Sequence, residues 1–170
     1  MKKALFVVQP DTFRDEEYFE PKKILEDAGV KVITASLKLG EMKGKLGRNT
    51  TAEILLQDVK ADDFDAIVYI GGGGADTYYA NADAFSKPAK EFFADGKITA
   101  SICIAGIILA GAGVLKGKKA TSFIDGKDAL LKGGADFTGK SVEIDGNIIT
   151  ANGPTAASDF GKAILEALNL

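Results

Sequence analysis

Apolar positions along this chain come in two spacings. Short, nearly unbroken apolar runs occupy residues 4–9, 30–35, 66–70 and 98–102. Runs of that length and continuity predict strands buried on both faces of a sheet. Between them lie longer stretches whose apolar residues recur at helical spacing, over 16–28, 82–94, 104–112, 125–131 and 156–168. The last shows the period most plainly, with Ala157, Phe160, Ile164, Ala167 and Leu168 on one face. Gly29 is a natural cap for the helix over 16–28, and Pro21 stands where a short lead-in could turn into the main helix. Residues 36–50 hold Gly40, Gly44 and Gly47 among charges, which predicts a loop or small surface excursion. Asp145-Gly146, flanked by apolar 141–144 and 147–151, predicts a hairpin. Strands alternating with helices imply an α/β fold, a mostly parallel sheet with helices on both faces. The chain carries no repeats, low-complexity tracts or linkers, so residues 1–170 are expected to form one domain.

Composition narrows the chemistry. The 170 residues are 46% hydrophobic and 26% charged, which argues against disorder. A net charge of -3 argues against nucleic-acid binding, and a solvated loop accounts for Lys43, Lys45 and Arg48. No apolar run is long enough for a membrane span, and the stretch after Lys3 is too short for the core of a signal peptide. Cys103 is the only cysteine, so no disulfide forms within the chain and a reducing cytoplasm is the expected location. There is no histidine. That removes a Ser-His-Asp triad and a Cys-His dyad, and with a single thiol it leaves no metal site expected.

In parallel sheets of this kind, ligands bind beyond the carboxyl ends of the strands. Three segments fall there. The first is Ser101-Ile102-Cys103-Ile104-Ala105-Gly106, where a strand gives way at once to a helix and small residues flank the cysteine. This is the pattern of a nucleophile elbow, which lifts one side chain above the sheet. A sulfur there lies near a helix N-terminus, which predicts a lowered thiol pKa. On local sequence alone a buried core cysteine explains the same residues somewhat better, since small neighbours also serve tight packing. The second segment is Gly71-Gly72-Gly73-Gly74, able to present backbone N–H groups to an oxyanion. It is neither a Walker loop nor a dinucleotide fingerprint, since no Gly-Lys-Ser/Thr follows and Asp76 replaces the third glycine. The third is the acidic run 15–17 and Glu20, mostly explained by a helix start, of which one carboxylate turned inward would suffice for chemistry.

Taken together, these features resemble the ThiJ/PfpI family, the cysteine branch of the class I glutamine amidotransferase-like superfamily. Its members include the Parkinson-disease protein deglycase and PfpI-type intracellular proteases. The resemblance runs from Lys3-Ala4-Leu5-Phe6-Val7 through Phe64 to Gly72, Ser101-Ile102-Cys103 and the segment from Gly113 to Thr121, and ends at Asp145 to Ala151. It implies a flavodoxin-like three-layer sandwich. It also implies that Cys103 is the elbow nucleophile and that Glu17, four residues before Pro21, is its partner acid. Gly71 and Gly72 would line the oxyanion pocket, with the Ile104 N–H contributing. In the family that acid is usually protonated and donates a hydrogen bond to the thiolate. Gly73, Phe13, Tyr18 and Tyr78 are further candidates for the pocket wall.

Where the proteases carry histidine after the cysteine, this chain has Ile104, and Gly106 replaces a frequent proline. A histidine often present in a later loop is Ser122 or Phe123 here. Peptidase activity is therefore disfavoured. The expectation is a cysteine-dependent stress-response protein acting on small reactive carbonyls, in the manner of glyoxalases and deglycases. An oxidation sensor working through Cys103 and a non-catalytic binding or chaperone relative are the alternatives. No cofactor is expected. The partners expected are a small carbonyl substrate or an oxidant, and a second copy of the chain in a homodimer or larger homo-oligomer.

Overall fold

The apolar runs form the central strands and the helical-period stretches pack over them. The computed structural model, which describes residues 1–170, begins with β1 (Lys3–Val7), α1 (Asp15–Asp27) and β2 (Lys31–Ser36). Next come β3 (Gly40–Lys43), β4 (Asn49–Ala52) and β5 (Ile54–Leu55). The middle of the chain forms β6 (Ala66–Tyr69), α2 (Asp76–Ala80), α3 (Ala82–Ala94), β7 (Ile98–Ile102) and α4 (Gly106–Gly111). The last third forms β8 (Lys119–Ala120), α5 (Lys127–Lys132), β9 (Asp136–Phe137), β10 (Val142–Asp145), β11 (Ile148–Ala151) and α6 (Ala157–Ala167).

The main sheet has seven strands in the order β10-β11-β7-β6-β1-β2-β5. Every neighbouring pair is parallel except β10 with β11. Without the two edge strands the order is β2-β1-β6-β7-β11, the flavodoxin-like arrangement, and its switch point lies between β1 and β6. Alternate strand residues feed two cores. Phe6, Val68 and Ala100 join Leu25, Phe160 and Ile164 under α1 and α6. Leu5, Ile67 and Tyr69 join Phe85, Phe92 and Leu109 under α3 and α4. Gly161 permits the close approach of α6 to α1, because a Cβ there would stand 2.8 Å from the Cα of Pro21. No helix is long and apolar enough to cross a membrane.

The structure departs from the sequence reading in four places. Residues 36–50 are not a loop throughout, since β3 and β4 pair antiparallel from Gly40↔Ala52 to Lys43↔Asn49. Met42 and Ala52 are buried beneath that hairpin, an apolar anchor hidden among glycines and charges. Residues 104–112 do not form one helix, because Cys103–Ala105 is a tight 3-10 turn and α4 starts only at Gly106. In the β10–β11 hairpin Asp145 pairs with Ile148, so the turn is centred on Gly146-Asn147, with Gly146 at φ 59°. Helix α1 runs through Pro21 rather than starting anew there. A proline on the second turn removes one intrahelical donor, and its ring is buried against α6.

Candidate functional site

Cys103 follows the last residue of β7 and takes φ 60°. A non-glycine residue in this left-handed region costs about 1–2 kcal/mol, and such cost concentrates where a site demands it. The turn is tight because its neighbours are small. A Cβ on Gly106 would stand 3.0 Å from the Cβ of Ser122. The Phe123 N–H donates to the Cys103 carbonyl (3.2 Å), tying the segment after β8 to the elbow. Tyr69 and Ser101 are register partners, so two residues further on Gly71 and Cys103 lie side by side. A Cβ on Gly71 would stand 2.7 Å from the Cβ of Cys103 and 2.5 Å from Oε1 of Glu17. Only glycine fits between them.

Glu17 sits in the first turn of α1, whose start is fastened to the loop after β6 by the Arg14 N–H donating to the Gly71 carbonyl (3.0 Å). Its side chain is fully buried, and neither carboxyl oxygen meets a hydrogen bond of full geometry. Burial pushes its carboxyl up to about 7, against smaller opposing effects of the nearby Cys103 thiol, the Arg14 charge and the Gly71 N–H. Burial and the neighbouring Glu17 charge push the Cys103 thiol up to about 12, and the Ile104 N–H and Arg14 offset only part of this. The expected lowering of the thiol pKa is thus corrected. The 3-10 turn delays α4, so a single N–H rather than a full helix terminus meets the sulfur. Cys103 and Glu17 share one negative charge: the pair gives up a first proton near neutrality and holds the second tightly.

Above the pair opens a cavity of about 400 Å³ with Glu17, Cys103, Ile104 and Gly72 on its lining. Ile104 borders this space without closing it. Neither the Gly71 nor the Gly72 N–H is spent on a backbone hydrogen bond. Gly72 must be glycine because a Cβ would collide with the Thr12 carbonyl oxygen and stand 2.8 Å from the Cα of Phe13. The loop that presses on it is itself left-handed at Asp11 (φ 67°) and Thr12 (φ 58°).

The fold therefore brings Cys103, Glu17, Gly71, Gly72 and Ile104 to one place. Gly73 is adjacent, with its N–H donated to the Thr12 carbonyl (2.9 Å), and is not on the cavity lining. Phe13 and Tyr18 do not line it either. Both are fully buried in the core under α1 and α6, their rings 5.2 Å apart, and the Tyr18 hydroxyl bonds Thr34 and Thr50 (2.7 Å each). Tyr78 is also core, its hydroxyl donating to the Ile70 carbonyl and its ring edge-on to Phe85. Tyr79, the next residue, reaches the wall instead, with Phe123, Asp125 and Pro154. Arg14 and Lys45 also reach the wall. Sequence reasoning missed these six, because they stand on turns, on a helix start and on the five-residue α2, segments too short to leave a periodic signal. No group of three or more His, Cys, Asp or Glu side chains comes together to hold a metal ion.

Compared with known proteins, residues 2–167 match the profile of the DJ-1/PfpI family. An uncharacterised protein of Methanocaldococcus jannaschii is 42% identical over 98% of this chain and 82% of its own length. A deglycase of Pyrococcus abyssi is 35% identical over 88% of this chain and 90% of its own. The crystal structure of a ThiJ/PfpI domain protein from Brachyspira murdochii superposes with a TM-score of 0.93 at 38% identity, covering 98% of this chain and 96% of that one.

Proposed function

This chain belongs to the DJ-1/PfpI family, and from that premise we propose that it is a cysteine-dependent enzyme of the deglycase or glyoxalase type, acting on small reactive carbonyls. One observation carries the reading. A cysteine held at φ 60° borders a 400 Å³ cavity beside a buried carboxyl that ionises at about 7. The name of the Pyrococcus abyssi relative, a deglycase, supports the same chemistry.

The thiol is too high to ionise alone, so Glu17 acts as its base. The Glu17 carboxylate takes the thiol proton as sulfur attacks the carbonyl carbon. A C–S bond forms and the π electrons move to oxygen. The free Gly72 N–H receives that oxyanion, joined by the Ile104 N–H once the sulfur it meets has bonded to carbon. Glu17 then returns the proton, giving a neutral hemithioacetal. With a 1,2-dicarbonyl, passing the proton of the sulfur-bearing carbon to the second carbon, and the adduct's hydroxyl proton to the second oxygen, converts the hemithioacetal to a thioester, and water releases a hydroxy acid and the free thiol. No external oxidant or reductant is consumed. The chain has no histidine to serve a peptidase. The oxidation-sensor alternative is weaker, because no second cysteine in the chain resolves an oxidised Cys103. A protective role under carbonyl stress, in the cytoplasm and as a homodimer or larger homo-oligomer, completes the proposal.

The test is methylglyoxal consumption by the wild type and by Cys103→Ser. The wild-type rate is expected to rise with pH around a midpoint of about 7, as Glu17 loses its proton. Unchanged consumption in Cys103→Ser overturns the proposal.

A further inference from the structure

The floor of the cavity carries the negative charge of the Glu17–Cys103 pair, yet two cations stand on its wall. Arg14 is fixed through its backbone to Gly71, and its charge is felt at the sulfur. Glu16 engages the guanidinium through Nε (2.7 Å) and Nη2 (3.3 Å), leaving Nη1 unengaged. Lys45 has no carboxylate within ion-pair distance. Its backbone is nevertheless held firmly. The Lys45 N–H donates to the Phe13 carbonyl (2.8 Å), and the Gly44 N–H to the Arg48 carbonyl (2.7 Å). The buried Asp15 carboxylate accepts the N–H groups of Leu46 (2.8 Å) and Arg48 (2.9 Å). Gly44 leaves no room for a Cβ, which would lie 2.5 Å from Oδ1 of Asp15. This clamping fixes the backbone of the turn between β3 and β4, from which the unpaired Lys45 reaches the wall of the same cavity that Cys103 borders. An exposed loop lysine with no task would need none of it.

We propose that the cavity takes carbonyl compounds that carry an anionic group, a carboxylate or a phosphate, seated on Arg14 and Lys45 while the carbonyl carbon faces the Cys103 sulfur. The inference rests on the carbonyl-enzyme reading above and gives it a substrate class. A neutral dicarbonyl would leave both cations idle. An anion lacking them would be repelled by the shared charge of Glu17 and Cys103. Asp125, exposed on the segment after β8, also borders the cavity and offsets one of the two cations of its wall.

Iodoacetate and iodoacetamide alkylate the same sulfur and differ by one charge, so the ratio of their rates cancels the thiolate population. That ratio at Cys103, taken relative to glutathione, is expected to be raised about three- to tenfold at low salt, as for a steering charge several ångströms away. It falls towards the glutathione value in about 1 M NaCl, in Lys45→Gln, and most in Arg14→Gln/Lys45→Gln. It rises further in Asp125→Asn. Protection of Cys103 from iodoacetamide then distinguishes the anions, with oxamate as the carboxylate probe and inorganic phosphate as the other. Protection by either supports the proposal and names the group. A ratio equal to that of glutathione and insensitive to salt and to the variants overturns it, as does protection by neither probe. Alkylation needs no turnover, so this failure is separate from a failure to consume carbonyls.

Discussion

Glu17→Gln is expected to stabilise the protein, and increasingly so as pH rises. The carboxyl has an ordinary value of 4.5, and burial raises it to about 7 in the fold. Below 4.5 both folded and unfolded chains hold the proton and ionisation costs nothing. Between 4.5 and 7 the unfolded chain releases it while the folded chain retains it, so stability falls as pH rises. Above 7 the loss is complete. The gap of about 2.5 pH units, at 1.36 kcal/mol each, makes it roughly 3 kcal/mol. Glutamine has nearly the same shape and no charge, so it escapes this loss at high pH. Its own buried amide costs something, but that cost does not vary with pH. The assay is urea unfolding at pH 4, 6 and 8 for Cys103→Ser and for Cys103→Ser/Glu17→Gln, a background that removes the coupled thiol. The stability difference should grow by about 3 kcal/mol in favour of glutamine from pH 4 to pH 8. A difference constant across that range would refute the argument that Glu17 is buried with no adequate partner.

Three further outcomes follow from the geometry. Gly71→Ala drives a Cβ into both Glu17 and Cys103, so it should cost about 2 kcal/mol or more in urea unfolding and abolish the Cys103-dependent consumption of methylglyoxal. Because residue 103 sits at φ 60°, Cys103→Gly should be at least as stable as Cys103→Ala, against the usual penalty of about 0.5–1 kcal/mol for glycine; a normal penalty would contradict the left-handed turn. Asp15→Ala strips the acceptors from the Leu46 and Arg48 N–H groups and should cost about 2–4 kcal/mol, with faster amide exchange confined to the turn between β3 and β4.

How much of this was legible beforehand depends on the kind of signal. Strands β1, β2, β6 and β7 could be read because a strand covered on both faces must be apolar throughout. Cys103 could be read because a sharp strand-to-helix turn needs small neighbours such as Ser101 and Ala105. Glu17 could not be separated from Asp15 and Glu16 by composition, and only the family resemblance singled it out. In the fold the three acids part company: Asp15 clamps a turn, Glu16 pairs with Arg14, and Glu17 faces the sulfur. Phe13 and Tyr18 flank site residues in sequence, but the bridge of Phe13 to Gly72 and the first turn of α1 leave their rings in the core. The β3–β4 hairpin stayed hidden because Met42 and Ala52 are too few to show a period. The raised thiol depended on burial and on a neighbour far away in sequence, neither of which a local motif reveals.

The alignment of Gly71 with Cys103 is inherited from the pairing of β6 with β7, and the position of Glu17 from the bridge that joins the lead-in to α1 to that same loop. None of the three partners is near another in sequence. Their meeting therefore belongs to the slow, long-range part of folding, when distant strands find register. A partly folded chain with its helices formed but β6 and β7 unpaired has the cysteine and the acid without the site. Alkylation of residue 103 should consequently slow on refolding at the rate at which the sheet closes, as burial and Glu17 raise the thiol. The lone thiol thereby doubles as a built-in clock for assembly of the whole molecule.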